Sequence, residues 1–254
     1  MQEKQLHAYI DEIKIALLEL AETNQTDFQY KQLEKYFGTQ LQILGLSMGD
    51  QRMLYQESFS FSNLALEEKL KIYYAVWKQS TIYEVRFQSV FFIIKNAKKL
   101  DPNLVLETIN SWMETVDCWP HSDDLAKASC IAGIKIPKQY KSLIQEWNTS
   151  ELLWKRRQSA VALVRERKAF VDVFNWKELE KLFLNLIDDK TYMVQKGLGW
   201  ALRDTGRIYN QELLRFLDKY ATALSTVAFS TATEKIDLSE KEVFKQKRIM
   251  HRKK

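Results

Sequence analysis

Val85-Arg86-Phe87-Gln88-Ser89 returns in altered form as Lys155-Arg156-Arg157-Gln158-Ser159 and as Val194-Gln195-Lys196-Gly197-Leu198. Each stretch lies in a run whose apolar residues fall three and four apart, the period of a helix that buries one face. Placing Gln88, Lys127, Arg157 and Lys196 in register gives steps of 39, 30 and 39 residues. That spacing matches helix pairs stacked so that each buries its apolar face on the next. The pattern predicts an all-α protein: a HEAT-like helical-repeat solenoid, a curved α–α superhelix with a concave basic face suited to a long ligand.

The surrounding sequence agrees. Leu6, Ile10, Ile13, Leu17 and Leu20 keep the helical period, as do residues 69–78, 83–97 and 104–113. Asp101-Pro102 and Pro137 mark helix starts, because the first helical N–H has no partner within the helix and proline loses nothing there. No segment alternates as a strand does. Only 7 Gly and 3 Pro occur in 254 residues, few for the bends of a sheet protein. Gly197 and Gly199 lie inside a helical pattern, where they let helices pack closely.

Several function classes lose support. The longest apolar run, near Val90 to Ile94, is far too short for a membrane span. Residues 1–5 are polar and do not open a secretory leader. Cys118 and Cys130 form no disulfide framework, which predicts free thiols and a cytoplasmic protein. His7, His121 and His251 are scattered without zinc spacing, and neither a phosphate-binding glycine loop nor a serine-nucleophile elbow occurs. Hence no metal and no nucleotide or other cofactor is expected.

The net charge of +5 is unevenly placed. Residues 243–254 carry Lys245, Lys247, Arg248, Arg252, Lys253 and Lys254 and no acid; the remainder holds 32 basic and 33 acidic residues. The expectation is one domain over 1–242 and a basic tail over 243–254, dispensable for the fold. A second basic cluster, Lys155, Arg156, Arg157, Arg165, Arg167 and Lys168, faces the single acid Glu166. Its first three members sit in the first turn of a predicted helix, against the helix dipole, a place suited to gripping phosphate. Trp200 and Arg203, three apart, share a helical face and can hold a base or sugar with its phosphate; a core tryptophan beside a snorkelling arginine gives the same spacing. A lone Asp such as Asp117 is commonly a cap or an ion-pair partner.

Three segments together resemble the DNA alkylation repair family of AlkD-like HEAT-repeat DNA glycosylases. Trp112-Met113-Glu114-Thr115-Val116-Asp117 is similar to the family's Trp-Trp-Asp-x-Val-Asp. Trp154-Lys155-Arg156-Arg157 matches its Trp-x-x-Arg, and Gln195 to Arg203 matches Gln-Lys-x-x-Gly-Trp-x-Leu-Arg without a gap. Leu44-Gly45-Leu46 to Arg52 matches an upstream segment, so the resemblance runs from about residue 30 to 235. It implies Asp117 as catalytic carboxylate, a lesion cleft of Trp112, Met113, Trp119 and Trp200, and DNA-backbone contacts from Lys155, Arg156, Arg157, Lys196 and Arg203. Met113 departs from the family's second Trp; a thioether packs on a sugar but offers a cation no ring face, and Trp119 stands nearby as a substitute. The implied activity is hydrolysis of the N-glycosidic bond of cationic N3- or N7-alkylated purines in duplex DNA. The implied protein is a monomer, associated with the nucleoid when on DNA. Two other classes stay open: a non-catalytic binder of damaged or branched DNA, and a HEAT-like protein-interaction scaffold.

Overall fold

The computed structural model describes residues 1–24, 35–56, 59–164 and 173–252. These fall in two compact units, Met1–Ala132 and Gly133–Lys254. The first holds α1 (Glu3–Thr23), α2 (Met48–Gln56), α3 (Leu66–Gln79), α4 (Tyr83–Asn96) and α5 (Pro102–Met113), and α6 (Trp119–Gly133) runs to its end. The second holds α7 (Pro137–Asn148), α8 (Leu153–Val161), α9 (Trp176–Leu186), α10 (Tyr192–Gly206), α11 (Asn210–Tyr220), α12 (Thr226–Ala232) and α13 (Leu238–Arg252). Among the described residues the only extended pairing is an isolated parallel bridge between Gln42 and Ile82. The fold is therefore all-α, as the apolar period predicts. Gln88, Lys127, Arg157 and Lys196 fall on α4, α6, α8 and α10, every second helix among the described residues. Among the described residues no helix is long and apolar enough to cross a membrane.

Helix ends follow local chemistry. Asp101 caps α5 by accepting a hydrogen bond from the Leu104 N–H at 3.0 Å, with Pro102 in the first turn. Asn175 and Glu178 form a reciprocal capping box on α9, and Ser225 caps α12. In the first unit α3 packs on α4. Trp77 stacks on Trp112 at 5.1 Å and Tyr73 on Phe92 at 4.5 Å. Burying a large apolar side chain of this kind contributes about 1.5–3 kcal/mol.

In the second unit α10 packs against α8 on one side and α12 on the other. Gly199 makes the second contact possible: a Cβ there would lie 2.7 Å from the Ala228 carbonyl oxygen and 2.9 Å from Ala228 Cα. The backbones of α10 and α12 thus touch, as a glycine in a helical pattern foretells. The basic segment from residue 243, through Arg252, belongs to α13. Phe244 and Arg248 are buried, and Arg248 donates to the carbonyls of Ala221 and Leu224. Charge alone set this segment apart; its apolar and hydrogen-bonded face ties it to the unit.

Candidate active site

Asp117 sits in the loop between α5 and α6, and its carboxylate turns to a segment far away in sequence. Thr39 Oγ1 donates to Asp117 Oδ2 at 2.7 Å, and the Gln40 N–H donates to the same oxygen at 2.9 Å. The other oxygen, Oδ1, is shielded from solvent and meets no donor in good hydrogen-bond geometry, although the Cys118 thiol and the Arg86 charge both act on the carboxylate.

The donating segment is pinned along its length. Gly38 turns the chain at φ +74°, a conformation that favours glycine. The Gln42 N–H donates to Thr81 O, and the Tyr83 N–H donates to Gln42 O, both at 2.9 Å. The Leu44 and Gly45 N–H groups each donate at 2.9 Å to the buried Glu84 carboxylate. Burial pushes the Glu84 pKa up, and these backbone donors work against that. The Leu44-Gly45-Leu46 motif is thus a backbone anchor for the segment that reaches Asp117.

Next to Asp117 the Cys118 thiol lies 3.2 Å from His121 Nδ1. His121 is fully enclosed, stacked on Tyr83 at 4.6 Å and packed beside Trp77 and Phe87. Burial, with help from Arg86, lowers its pKa to about 3, so the ring is neutral. Burial raises the Cys118 thiol well above its ordinary value, with the Asp117 charge adding to the effect. One ligand atom each from Asp117, Cys118 and His121 lies within 4.8 Å of the others. A metal needs the thiolate, and this enclosure favours the thiol. His121 fits no zinc spacing in the sequence; the local signal is its position three residues after Cys118, the residue that precedes α6.

The expected cleft residues of this unit separate. Trp112 and Met113 are core residues, 0% and 1% exposed. Trp119 is half-buried, and its Nε1 donates to the Tyr36 carbonyl at 3.0 Å. The Tyr36 ring, 64% exposed, stands edge-on to the Trp119 ring at 5.5 Å.

In the second unit Trp200 and Arg203 share a helical face, and Asp204 joins them. Trp200 Nε1 donates to Asp204 Oδ2 at 2.9 Å, and Arg203 Nε donates to Oδ1 at 3.0 Å. Arg203 also pairs with Glu234. Burial acts to lower the Arg203 pKa, but the two carboxylates outweigh it and the net direction is upward. Arg157 is buried, and its Nη1 donates to Met193 O at 2.7 Å. Arg156 holds Asp189 at 2.6 Å and the carbonyls of Ser150 and Glu151. Lys155 is buried with Glu146 at 3.9 Å, and Lys196 is exposed. Arg165, Arg167 and Lys168 lie outside the described residues, as do Lys253 and Lys254. Thr39, Gln40, Asp204 and Glu234 were not singled out by sequence. Asp204, one residue past Arg203, carried the only local signal.

The profile of the family described as "DNA alkylation repair enzyme" matches residues 17–236. No curated protein sequence matches the chain. Among solved structures, a predicted DNA alkylation repair enzyme from Enterococcus faecalis is 17% identical with a TM-score of 0.70, covering 82% of this chain and 95% of that one. AlkD2 from Streptococcus mutans is 20% identical with a TM-score of 0.54, covering 89% of this chain and 99% of that one. At these identities the likeness concerns the fold.

Proposed function

The chain belongs to the DNA alkylation repair enzyme family, and from that premise we propose that it is a glycosylase that hydrolyses the N-glycosidic bond of cationic N3- or N7-alkylated purines in duplex DNA. The observation that carries this reading is the Asp117 carboxylate, held through Oδ2 by Thr39 and Gln40 while Oδ1 stays dry and meets no donor in good hydrogen-bond geometry. Arg86 already offsets part of the cost of this sheltered carboxylate, and a second positive charge brought to Oδ1 offsets more of it.

The chemistry supplies that charge. The alkyl group makes the purine cationic, so it leaves with the C1′–N electron pair and becomes neutral. The sugar passes through an oxocarbenium-like cation, and water adds at C1′ and gives up a proton, leaving an abasic site. Asp117 stabilises the developing cation, an effect on the order of 3 kcal/mol for one preorganised group. It also orients the water and can accept its proton. Neutral lesions lack the activated leaving group and react poorly.

Within this reading Trp119, two residues after Asp117 and half-buried, offers a ring face to the damaged nucleotide, and Trp200, half-buried in the second unit, is the cleft residue that the family pattern assigns there. Met113 and Trp112 are core residues of the first unit, which supports Trp119 as the substitute for the missing family Trp. Lys155, Arg156, Arg157, Lys196 and Arg203 are the proposed phosphate contacts. Lys196 is already exposed, whereas a phosphate at Arg156 or Arg203 competes with a carboxylate. The protein acts as a monomer without a cofactor.

The test is base release from duplexes bearing N7-methylguanine, with wild type and Asp117→Asn side by side. Wild type should release the base, and the variant should bind the duplex equally but react at least about 100-fold more slowly. Binding without release by wild type makes the protein a non-catalytic reader of damaged DNA. Equal release by both proteins removes Asp117 from the reaction.

A further inference from the structure

We infer that Thr39 is a positioning residue for Asp117: its hydroxyl decides which carboxylate oxygen is held and which is left bare. The inference rests on the glycosylase reading and goes beyond it, since Thr39 lies 78 positions from Asp117 in a segment that no sequence motif marks.

The direction of the hydrogen bond follows from its neighbours. The Leu41 N–H donates to Thr39 Oγ1 at 3.1 Å, which occupies that oxygen as an acceptor. The hydroxyl proton is then directed to Asp117 Oδ2, 2.7 Å away. The Gln40 N–H adds a second donor to the same oxygen. Neither carboxylate oxygen caps α6, so the ordinary role of an aspartate before a helix does not account for its orientation.

A carboxylate gripped at one oxygen cannot rotate to hydrate the other. Without the Thr39 hydroxyl, one backbone N–H remains, and the group is free to swing and pair Oδ1. The segment resists that swing because the Gly38 turn, the Gln42 bridge and the Glu84 carboxylate fix its path. Such rigidity is what an electrostatic site needs, since a preorganised charge pays no reorganisation when the transition state forms. Thr39 touches neither base nor sugar; it acts through Asp117.

The experiment compares Thr39→Val, which keeps the shape and loses the hydroxyl, with Thr39→Ser, which keeps the hydroxyl and loses the methyl. Single-turnover release of N7-methylguanine at saturating protein separates chemistry from binding. Thr39→Val should react at least about tenfold more slowly with unchanged duplex affinity, since a small misplacement of a reacting group costs that much or more. Thr39→Ser should react like wild type. A normal rate for Thr39→Val, or a loss shared by Thr39→Ser, overturns the inference in favour of packing.

Wild type and Asp117→Asn in the same assay show separately whether the glycosylase reading holds. If wild type releases nothing, amide exchange decides the positioning claim by itself. The Gln40 amide should then exchange at least about tenfold faster in Thr39→Val than in wild type or Thr39→Ser, as expected when the carboxylate that protects it is free to swing away. Equal exchange overturns the claim.

Discussion

Glu234 occupies the guanidinium of Arg203, with its Oε2 2.5 Å from Nη1. The carboxylate is exposed, and the arginine holds its pKa below the ordinary range. If a phosphate uses Arg203, it must first displace this acid. Glu234→Gln should therefore bind duplex DNA a few-fold more tightly at low salt, with the gain shrinking as salt rises. Fluorescence anisotropy at several salt concentrations measures this; an unchanged or weakened affinity places the phosphate elsewhere.

Arg203→Ala and Arg157→Ala should part company. If both contact phosphates, each lowers the log–log salt slope of DNA binding by about one unit. Only Arg157 is buried, with its Nη1 on the Met193 carbonyl and its stem 3.3 Å from where a Gly197 Cβ would lie. Its removal should also cost about 1–3 kcal/mol of stability. Urea midpoints together with salt titrations separate the roles. A destabilised Arg157→Ala with an unchanged slope makes Arg157 a strut between α8 and α10.

His121 should make the protein acid-sensitive. Its pKa falls from 6.5 in the unfolded chain to about 3 in the enclosure formed with Tyr83, Trp77, Phe87 and Cys118, with Arg86 adding repulsion. Below 6.5 the unfolded chain takes a proton that the folded state refuses. Stability therefore falls as pH drops from 6.5 towards 3, with a slope approaching about 1.4 kcal/mol per pH unit. His121→Phe, which keeps an aromatic ring, should show a smaller loss between pH 7 and pH 4.5 in urea unfolding. An identical pH dependence in the two proteins would mean that other groups set the acid response.

Arg248→Ala should lower the melting temperature although it removes a charge from a basic segment. The side chain serves the carbonyls of Ala221 and Leu224 and lies over the Phe229 ring at 4.5 Å. Two stranded carbonyls and a lost ring contact cost about 1–3 kcal/mol. Deleting residues 243–254 should be worse, because Phe244 goes too. Calorimetry checks both; a truncated protein that melts like wild type would show that α13 docks weakly.

The helices were legible in the sequence because a helix is written locally. The three-and-four spacing of apolar residues states which face is buried. Asp101 and Pro102 state where α5 begins, and Gly199 states that a backbone passes close by. Each of these signals lies within a turn or two of the structure it governs. The order of the segments around Asp117, Arg157 and Arg203 marked the family for the same reason, since chain order survives when contacts are unknown.

Which of those residues face a ligand could not be read this way. Lys155 and Arg157 sit in the first turn of α8, as expected, yet both are buried, and Arg157 spends a donor on α10. Trp112 matches the family pattern and Met113 stands where its second Trp would, yet packing takes both into the core. Thr39 and Gln40 reach Asp117 only because Gln42 pairs beside α4 and Glu84 grips Leu44 and Gly45. A one-dimensional pattern fixes the face of a helix to within a residue or two. The hydrogen bonds that set the Asp117 carboxylate act over less than 3 Å between groups more than 70 residues apart, so only tertiary packing decides them.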